Sequence, residues 1–198
     1  MPASLEHPPG SLSAEGAQVA TAAVPAAARC ALEISAAGGT AYDAAVAAAL
    51  AETVWLPMKC GLGGDLVALC RTSEGTFRSL IAIGGGPAAL DRGAALELAG
   101  PKSVGAPAAP AGYAALAAEG RLGLEALAAP AIAMAEAGVT WLPVAVDLTG
   151  EAEDKLRRYS GASRFLPGGR LPEVGALLQL PGLARILAAF AEDGEALF

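Results

Sequence analysis

Histidine, cysteine, basic charge and long apolar runs are all scarce in this chain, and each scarcity removes a class of function. Among 198 residues there is one histidine, His7. It sits in the opening stretch MPASLEHPPGSLSAEG, where a solvated histidine is the ordinary state. The three cysteines, Cys30, Cys60 and Cys70, are odd in number and lack CxxC spacing. They write neither a disulfide framework nor a zinc site, so no metal is expected, and free thiols in a cytoplasmic protein are the simplest state. Lys and Arg total 13 against 20 Asp and Glu, a net charge of −7. Such a surface offers no basic face to nucleic acid or to an anionic membrane. Asp43, Glu52, Glu119, Arg121 and Pro130 interrupt the longest apolar stretches, so none reads as a membrane span of about 20 residues. The opening residues have neither a basic nor an apolar signal region. Residues 1–14 read as a disordered tail, and a cytoplasmic location is expected.

Aromatics make up 5 % of the chain although apolar residues make up 54 %, with alanine in the lead. A core of this composition is built from close helix approaches rather than from large side chains. The length suits one domain, and neither an internal repeat nor a low-complexity linker divides residues 15–198.

What is present concentrates in Gly38-Gly39-Thr40-Ala41-Tyr42-Asp43-Ala44-Ala45-Val46-Ala47 and the glycine turn Cys60-Gly61-Leu62-Gly63-Gly64-Asp65. Gly38-Gly39 can end a helix in the left-handed region without a Cβ penalty. Thr40 is a good N-cap, and Asp43 stands where the acid of a capping box reaches back. The following helix carries nothing charged between Asp43 and Glu52, so it must pack on most sides, and Pro57 stops it. Upstream, Pro25 suits the first turn of a helix whose apolar face would carry Ala26, Cys30, Leu32 and Ile34. Leu66–Cys70 and Phe77–Ile83 read as a β-hairpin around Arg71–Thr76. Closed symmetrically about Ser73-Glu74, it brings Gly63-Gly64 opposite Ile83-Gly84. Two glycine clusters then meet, and either the chain segments approach each other closely there or something else approaches the backbone. After Pro87 the chain is helical and loopy by turns, with a linker at 101–110. Residues 112–138 read as two helices broken at Gly120–Gly123, with Leu124, Leu127, Ile132 and Met134 as core positions and Gly138 as a C-cap. Asp147, Glu151, Glu153 and Asp154, followed by Lys155, Arg157 and Arg158, read as a solvated helix face.

These landmarks carry a resemblance. GGTAYDAAVAAALAETVWLP followed by CGLGGDLVAL is similar to the gamma-glutamyltranspeptidase family, whose large subunit has a GGNAxDAAVA helix and a GxGGGF or GxGGDLF turn. The segment around Gly112–Gly138 and the positions Gln179, Pro181, Leu183 and Ala184 follow the family pattern as well. The likeness runs over residues 15–198 and covers the first part of the large subunit. It implies an α+β fold, the four-layer αββα sandwich of N-terminal-nucleophile hydrolases, completed by a second chain. It implies autoprocessing, and a partner small subunit whose N-terminal threonine attacks the acyl carbonyl with its own α-amine as base. The substrate is then a small acyl compound and no cofactor is needed. None of Thr21, Thr40, Thr53, Thr72, Thr76, Thr140 and Thr149 stands in the context of that threonine, so no catalytic residue is expected in this chain.

The chemistry of the site departs from the family at one place. Gamma-glutamyl enzymes hold the donor carboxylate with an arginine in an FREMAP or GRAP-like segment. Here the same stretch reads Ala82-Ile83-Gly84-Gly85-Gly86-Pro87, with Ile83 or Gly85 where the arginine stands. The bidentate, charge-assisted partner of a carboxylate is gone. The substrate-binding candidates are therefore Ile83, Gly84 and Gly85, with Lys59 and Asp65 as replacement contacts; solvated lysine and turn-capping aspartate are the plain alternatives. Cys60 abuts the turn but has no base, and reads as structural. The turn lacks GK[ST] and enters a strand, so a phosphate cradle is not expected. Three readings stay open: an acyl hydrolase or transferase with a non-standard substrate, a carbon–carbon bond hydrolase of antibiotic (4-alkyl-proline) biosynthesis, and a non-catalytic scaffold.

Overall fold

The computed structural model describes residues 16–88, 99–159 and 164–198. The expected tail at 1–14, His7 and most of the stretch after Pro87 lie outside the described residues. Helices α1 (Pro25–Ala36) and α2 (Ala41–Trp55) are followed by strands β1 (Leu66–Arg71) and β2 (Phe77–Ala82). Then come α3 (Ala109–Ala118), α4 (Gly123–Ala137), β3 (Val139–Thr140), α5 (Pro143–Glu151), α6 (Glu153–Tyr159), β4 (Leu177–Leu178) and α7 (Pro181–Asp193). Helices α1, α2, α4 and α7 pack side by side in that order, and α3 leans on α2, on α4 and on both strands of the hairpin. The class is mixed helix and strand, with the β1–β2 hairpin laid over the helical layer.

The junction between α1 and α2 forms as its residues dictate. Gly38, at φ +95°, donates its N–H to Ser35 O at 3.1 Å, and Gly39 donates to Ile34 O at 3.0 Å. This double closure satisfies the last carbonyls of α1. A Cβ on Gly39 would come within 2.8 Å of Ile34 O, so both glycines are needed. Thr40 then caps α2 in a complete capping box: Asp43 N donates to Thr40 Oγ1 at 3.4 Å and Thr40 N to Asp43 Oδ2 at 2.7 Å. The seam of α1 is Ala27, Cys30, Ala31 and Ile34, while Leu32 is exposed. The i, i+3, i+4, i+7 spacing with two alanines gives α2 a closer approach than Ala26 and Leu32 would.

Asp43 does more than cap. Its side chain is fully buried and also accepts the N–H groups of Arg121 at 2.9 Å and Leu122 at 3.2 Å, in the turn that opens α4. One carboxylate thus joins the start of α2 to the α3–α4 turn. Burial pushes its pKa up, but the donors from Thr40, Arg121 and Leu122 outweigh it and hold the carboxyl below its ordinary 3.8. Gly120 makes this possible, because a Cβ there would lie 2.1 Å from Asp43 Oδ1.

The break between α3 and α4 falls at 119–122, close to the expected Gly120–Gly123, and Gly138 ends α4 at φ +93°. Helix α3 begins at Ala109, inside the expected linker, with Pro110 in its first turn. Of the four expected core positions in this region only Leu127 is fully buried. Ala128, Ala131 and Ala135 complete the inner face of α4, and Leu124, Ile132 and Met134 flank the core. In α6 no residue is buried, and Arg157 Nε reaches Glu153 Oε1 at 2.9 Å, the solvated face that the charges indicated.

Because four backbone or hydroxyl donors converge on Asp43, Asp43→Ala is expected to cost about 2–4 kcal/mol, measured by urea denaturation. The folded pKa is depressed, so this stabilisation is complete above pH ~4 and is lost as pH falls through the folded value. The gap between wild type and variant should narrow below that pH. Gly120→Ala should be comparably costly, yet cost less than about half as much in the Asp43→Ala background; equal cost in both would show that the carboxylate is not what the glycine accommodates.

Candidate functional site

The glycine end of the hairpin is assembled from three chain segments. The hairpin pairs Leu66 with Ala82 and Arg71 with Phe77, so it is centred on Glu74, half a residue from the expected centre. Its five-residue connection uses Gly75 at φ +87° and closes through Thr72 N to Thr76 O at 2.8 Å. Continued past Leu66, this register sets Gly64 opposite Gly84 and Asp65 opposite Ile83. An odd loop length moves every partner by one, a difference that polar loop residues alone do not reveal.

A third segment, Gly105–Ala109, closes on both glycine clusters. Ala108 N and Ala109 N donate to Gly64 O at 3.1 and 2.9 Å, and Ala106 N donates to Gly85 O at 2.9 Å. A Cβ on Gly84 would lie 1.7 Å from Ala106 O. The close approach foreseen from the glycines is thus chain on chain at Gly64 and Gly84. Gly61, Gly63 and Gly85 are different: nothing lies within 4 Å of where their Cβ atoms would stand. The third segment was missed because it lies in a bland Ala/Pro stretch with no periodicity.

Of the five candidate residues, four meet at this end. Ile83 is 61 % exposed. Gly84 donates its N–H to Asp65 Oδ1 at 2.9 Å, which makes Asp65 a clamp between the two strand ends. Gly85 is exposed, with its carbonyl held by Ala106. Lys59 is exposed at the start of the turn, its N–H bonded to Leu56 O at 2.9 Å, and it makes no ion pair among the described residues.

Beneath the turn lies a polar group that sequence reasoning did not single out. Glu52, on α2, accepts Ala23 N at 2.6 Å with one oxygen and faces Cys60 Sγ at 3.7 Å with the other. Burial first, then the Glu52 charge and hydrogen bond, push the Cys60 thiol up. A raised thiol is a poor nucleophile at neutral pH, which agrees with a structural Cys60. Tyr113 is pushed up to about 12 by burial and by the same negative charges. Cys30, buried against α2, is pushed up to about 11 by burial and by Glu33. The signal that could have found Glu52 was its isolation as the first charge after Asp43 on an otherwise apolar helix.

The fold built around this end is known from solved proteins. The structure of Helicobacter pylori gamma-glutamyltranspeptidase superposes with a TM-score of 0.83 at 24 % identity, over 92 % of this chain and 56 % of that one. Cephalosporin acylase from Bacillus halodurans matches at 32 % identity with a TM-score of 0.79, over 98 % of this chain and 39 % of that one. The Acylase ACY 1 proenzyme of Pseudomonas sp. (strain V22) is 32 % identical over 185 residues, 84 % of this chain and 33 % of the relative. The chain therefore spans about one third of the length of that relative. The family model described as Gamma-glutamyltranspeptidase matches residues 27–198, and the chain belongs to the gamma-glutamyltranspeptidase family.

At the site itself, Gly84→Ala is expected to destabilise the chain by about 2 kcal/mol or more, since the obstructing atoms are backbone. Gly63→Ala, into open space, should change stability by less than about 0.5 kcal/mol. Thermal or urea denaturation of both variants distinguishes a packed glycine from a free one; equal effects would overturn that division.

Proposed function

We propose that this chain is the first part of the large subunit of an acyl hydrolase or acyltransferase in its family, paired with a small subunit opened by the nucleophilic threonine. The observation that carries the proposal is the outer face of the hairpin. Val67, Leu69, Phe77, Ile81 and Ile83 all project to one side and are 61–74 % exposed, whereas Leu66, Ala68, Cys70 and Leu80 pack on the helices. A two-stranded ribbon is marginal alone, and an apolar face of this size calls for a covering layer. A second sheet laid over it gives the four-layer αββα sandwich, with further strands from the remainder of the polypeptide. The relatives named as acylases, both at 32 % identity, support acyl-bond cleavage, and the word proenzyme in one of those names supports autoprocessing.

In this reading the threonine hydroxyl adds to the acyl carbonyl while its α-amine takes the proton. That proton passes to the leaving amine as the acyl–nitrogen bond breaks, and water or a second amine then releases the acyl group. Ile83, Gly84 and Gly85, with Lys59 and Asp65, form the wall that meets the acyl chain. That wall has an apolar side chain, a carboxylate already engaged by Gly84, the single ammonium of Lys59 in place of a planar fork, and no guanidinium from Ala82 to Pro87. A donor that needs a bidentate grip on its carboxylate forgoes charge-assisted bonds worth about 1.5–3 kcal/mol. Preferred donors accordingly lack a free carboxylate at that end.

N-terminal sequencing and intact mass of the purified full-length protein test the proposal. Two chains are expected, the second beginning with threonine, and an acyl p-nitroanilide without an α-carboxylate should be cleaved faster than γ-glutamyl-p-nitroanilide. Ile83→Arg should shift the ratio of kcat/KM toward the γ-glutamyl donor by about tenfold or more. A single unprocessed polypeptide with no acylase activity would overturn the proposal and leave a fold kept for binding.

A further inference from the structure

Beside the glycine turn a cavity of about 560 Å³ lies between Cys60-Gly61, Arg164-Phe165 and the first turns of α7. Its volume is within the range of small-molecule sites. Two guanidiniums, Arg164 and Arg185, line it, and no carboxylate does. Neither guanidinium makes an ion pair or hydrogen bond among the described residues; the guanidiniums that do are those of Arg78 and Arg157. The groove between α4 and α7 has the opposite character: it is of similar size, about 580 Å³, and is rimmed by Glu125, Glu136 and Glu192 with no cation. In a chain of net charge −7, two unpaired positive groups facing one cavity are a local reversal of the overall sign. Both charges line one cavity beside the apolar Phe165, Leu183 and Ile186, a setting that favours an anion between them. The amino end of the thirteen-residue α7 adds a field of the same sign.

We propose that this cavity binds a small organic anion, a carboxylate attached to an apolar body, with Arg185 and Arg164 holding the carboxylate and Phe165, Leu183 and Ile186 receiving the body. Planar guanidinium forks suit carboxylate geometry, and the apolar walls leave room for a ring or short chain. Neither arginine belongs to the acyl-binding wall proposed above, while Cys60 and Gly61 of the glycine turn line this cavity.

The probe is sodium benzoate against benzamide, which share a shape and differ in charge, titrated into the full-length protein by isothermal calorimetry. Benzoate should bind at least tenfold more tightly than benzamide, and its affinity should fall as sodium chloride rises from 50 to 500 mM. Arg185→Gln and Arg164→Gln should each weaken benzoate about tenfold, while Arg185→Lys, which keeps the charge but loses the fork, should weaken it less than Arg185→Gln does. Arg29→Gln, an exposed arginine on α1, should change nothing. Both arginines are exposed, and an unchanged melting temperature checks that the variants fold. Equal affinity for benzoate and benzamide, no binding of either, or unchanged affinity in either glutamine variant overturns the proposal.

Discussion

The carboxylate of Asp43 is the constraint on which the helical layer depends. It is a buried charge with no ion pair among the described residues, and it is stable because backbone and hydroxyl donors surround it. A buried anion satisfied by N–H groups fixes direction as well as distance, since each donor must point at one of two oxygens. The start of α2 and the turn before α4 are therefore set relative to each other by chemistry rather than by bulk packing. With aromatics scarce, that directional link does work which large interlocking side chains would otherwise do. The alanine faces of α1, α2 and α4 then close at short range, and the residues at these contacts have little side chain to interdigitate.

The hairpin sits on this platform through small residues too. A Cβ on Gly112 of α3 would stand 3.0 Å from the Cβ of Ala82 and 3.1 Å from that of Leu66, so the helix lies close against both strands. The inner face of the ribbon is fully used and its outer face is not. The asymmetry explains why the hairpin, packed on the helices through one face, presents five large apolar side chains to solvent on the other.

How much of this was legible in the sequence depended on range. Gly38-Gly39, Thr40 and Asp43 act on neighbours within a turn, and the helix end, cap and capping box followed from their identities. The burial of Asp43 did not, because its second pair of donors comes from Arg121 and Leu122, almost eighty residues away. The hairpin was visible as two apolar runs, but its register turned on Gly75 and an odd loop length, which only the closed structure fixes. The Gly105–Ala109 segment and the short β3–β4 ladder, Val139 with Leu178 and Thr140 with Leu177, left no trace in periodicity. The candidate residues at Asp65 and Ile83–Gly85 were brought to one place because a hairpin pairs its ends automatically. The Glu52–Cys60 contact depended on how the turn folds back over α2, and no spacing rule encodes that.

The main-chain contacts at the glycine end also decide how this surface can change over evolutionary time or in the laboratory. Where Gly84 meets Ala106 and Gly64 accepts two N–H groups, backbone touches backbone, and no exchange of side chains can widen or narrow the gap. Around that fixed knot stand Lys59, Gly61, Gly63, Asp65, Ile83 and Gly85, all open to solvent. New side chains at Gly61, Gly63 or Gly85 would enter empty space. The knot acts as a chassis and the open positions as mounting points. A library built at this end should leave the first untouched and randomise the second, so that recognition is altered with little risk to the fold beneath it.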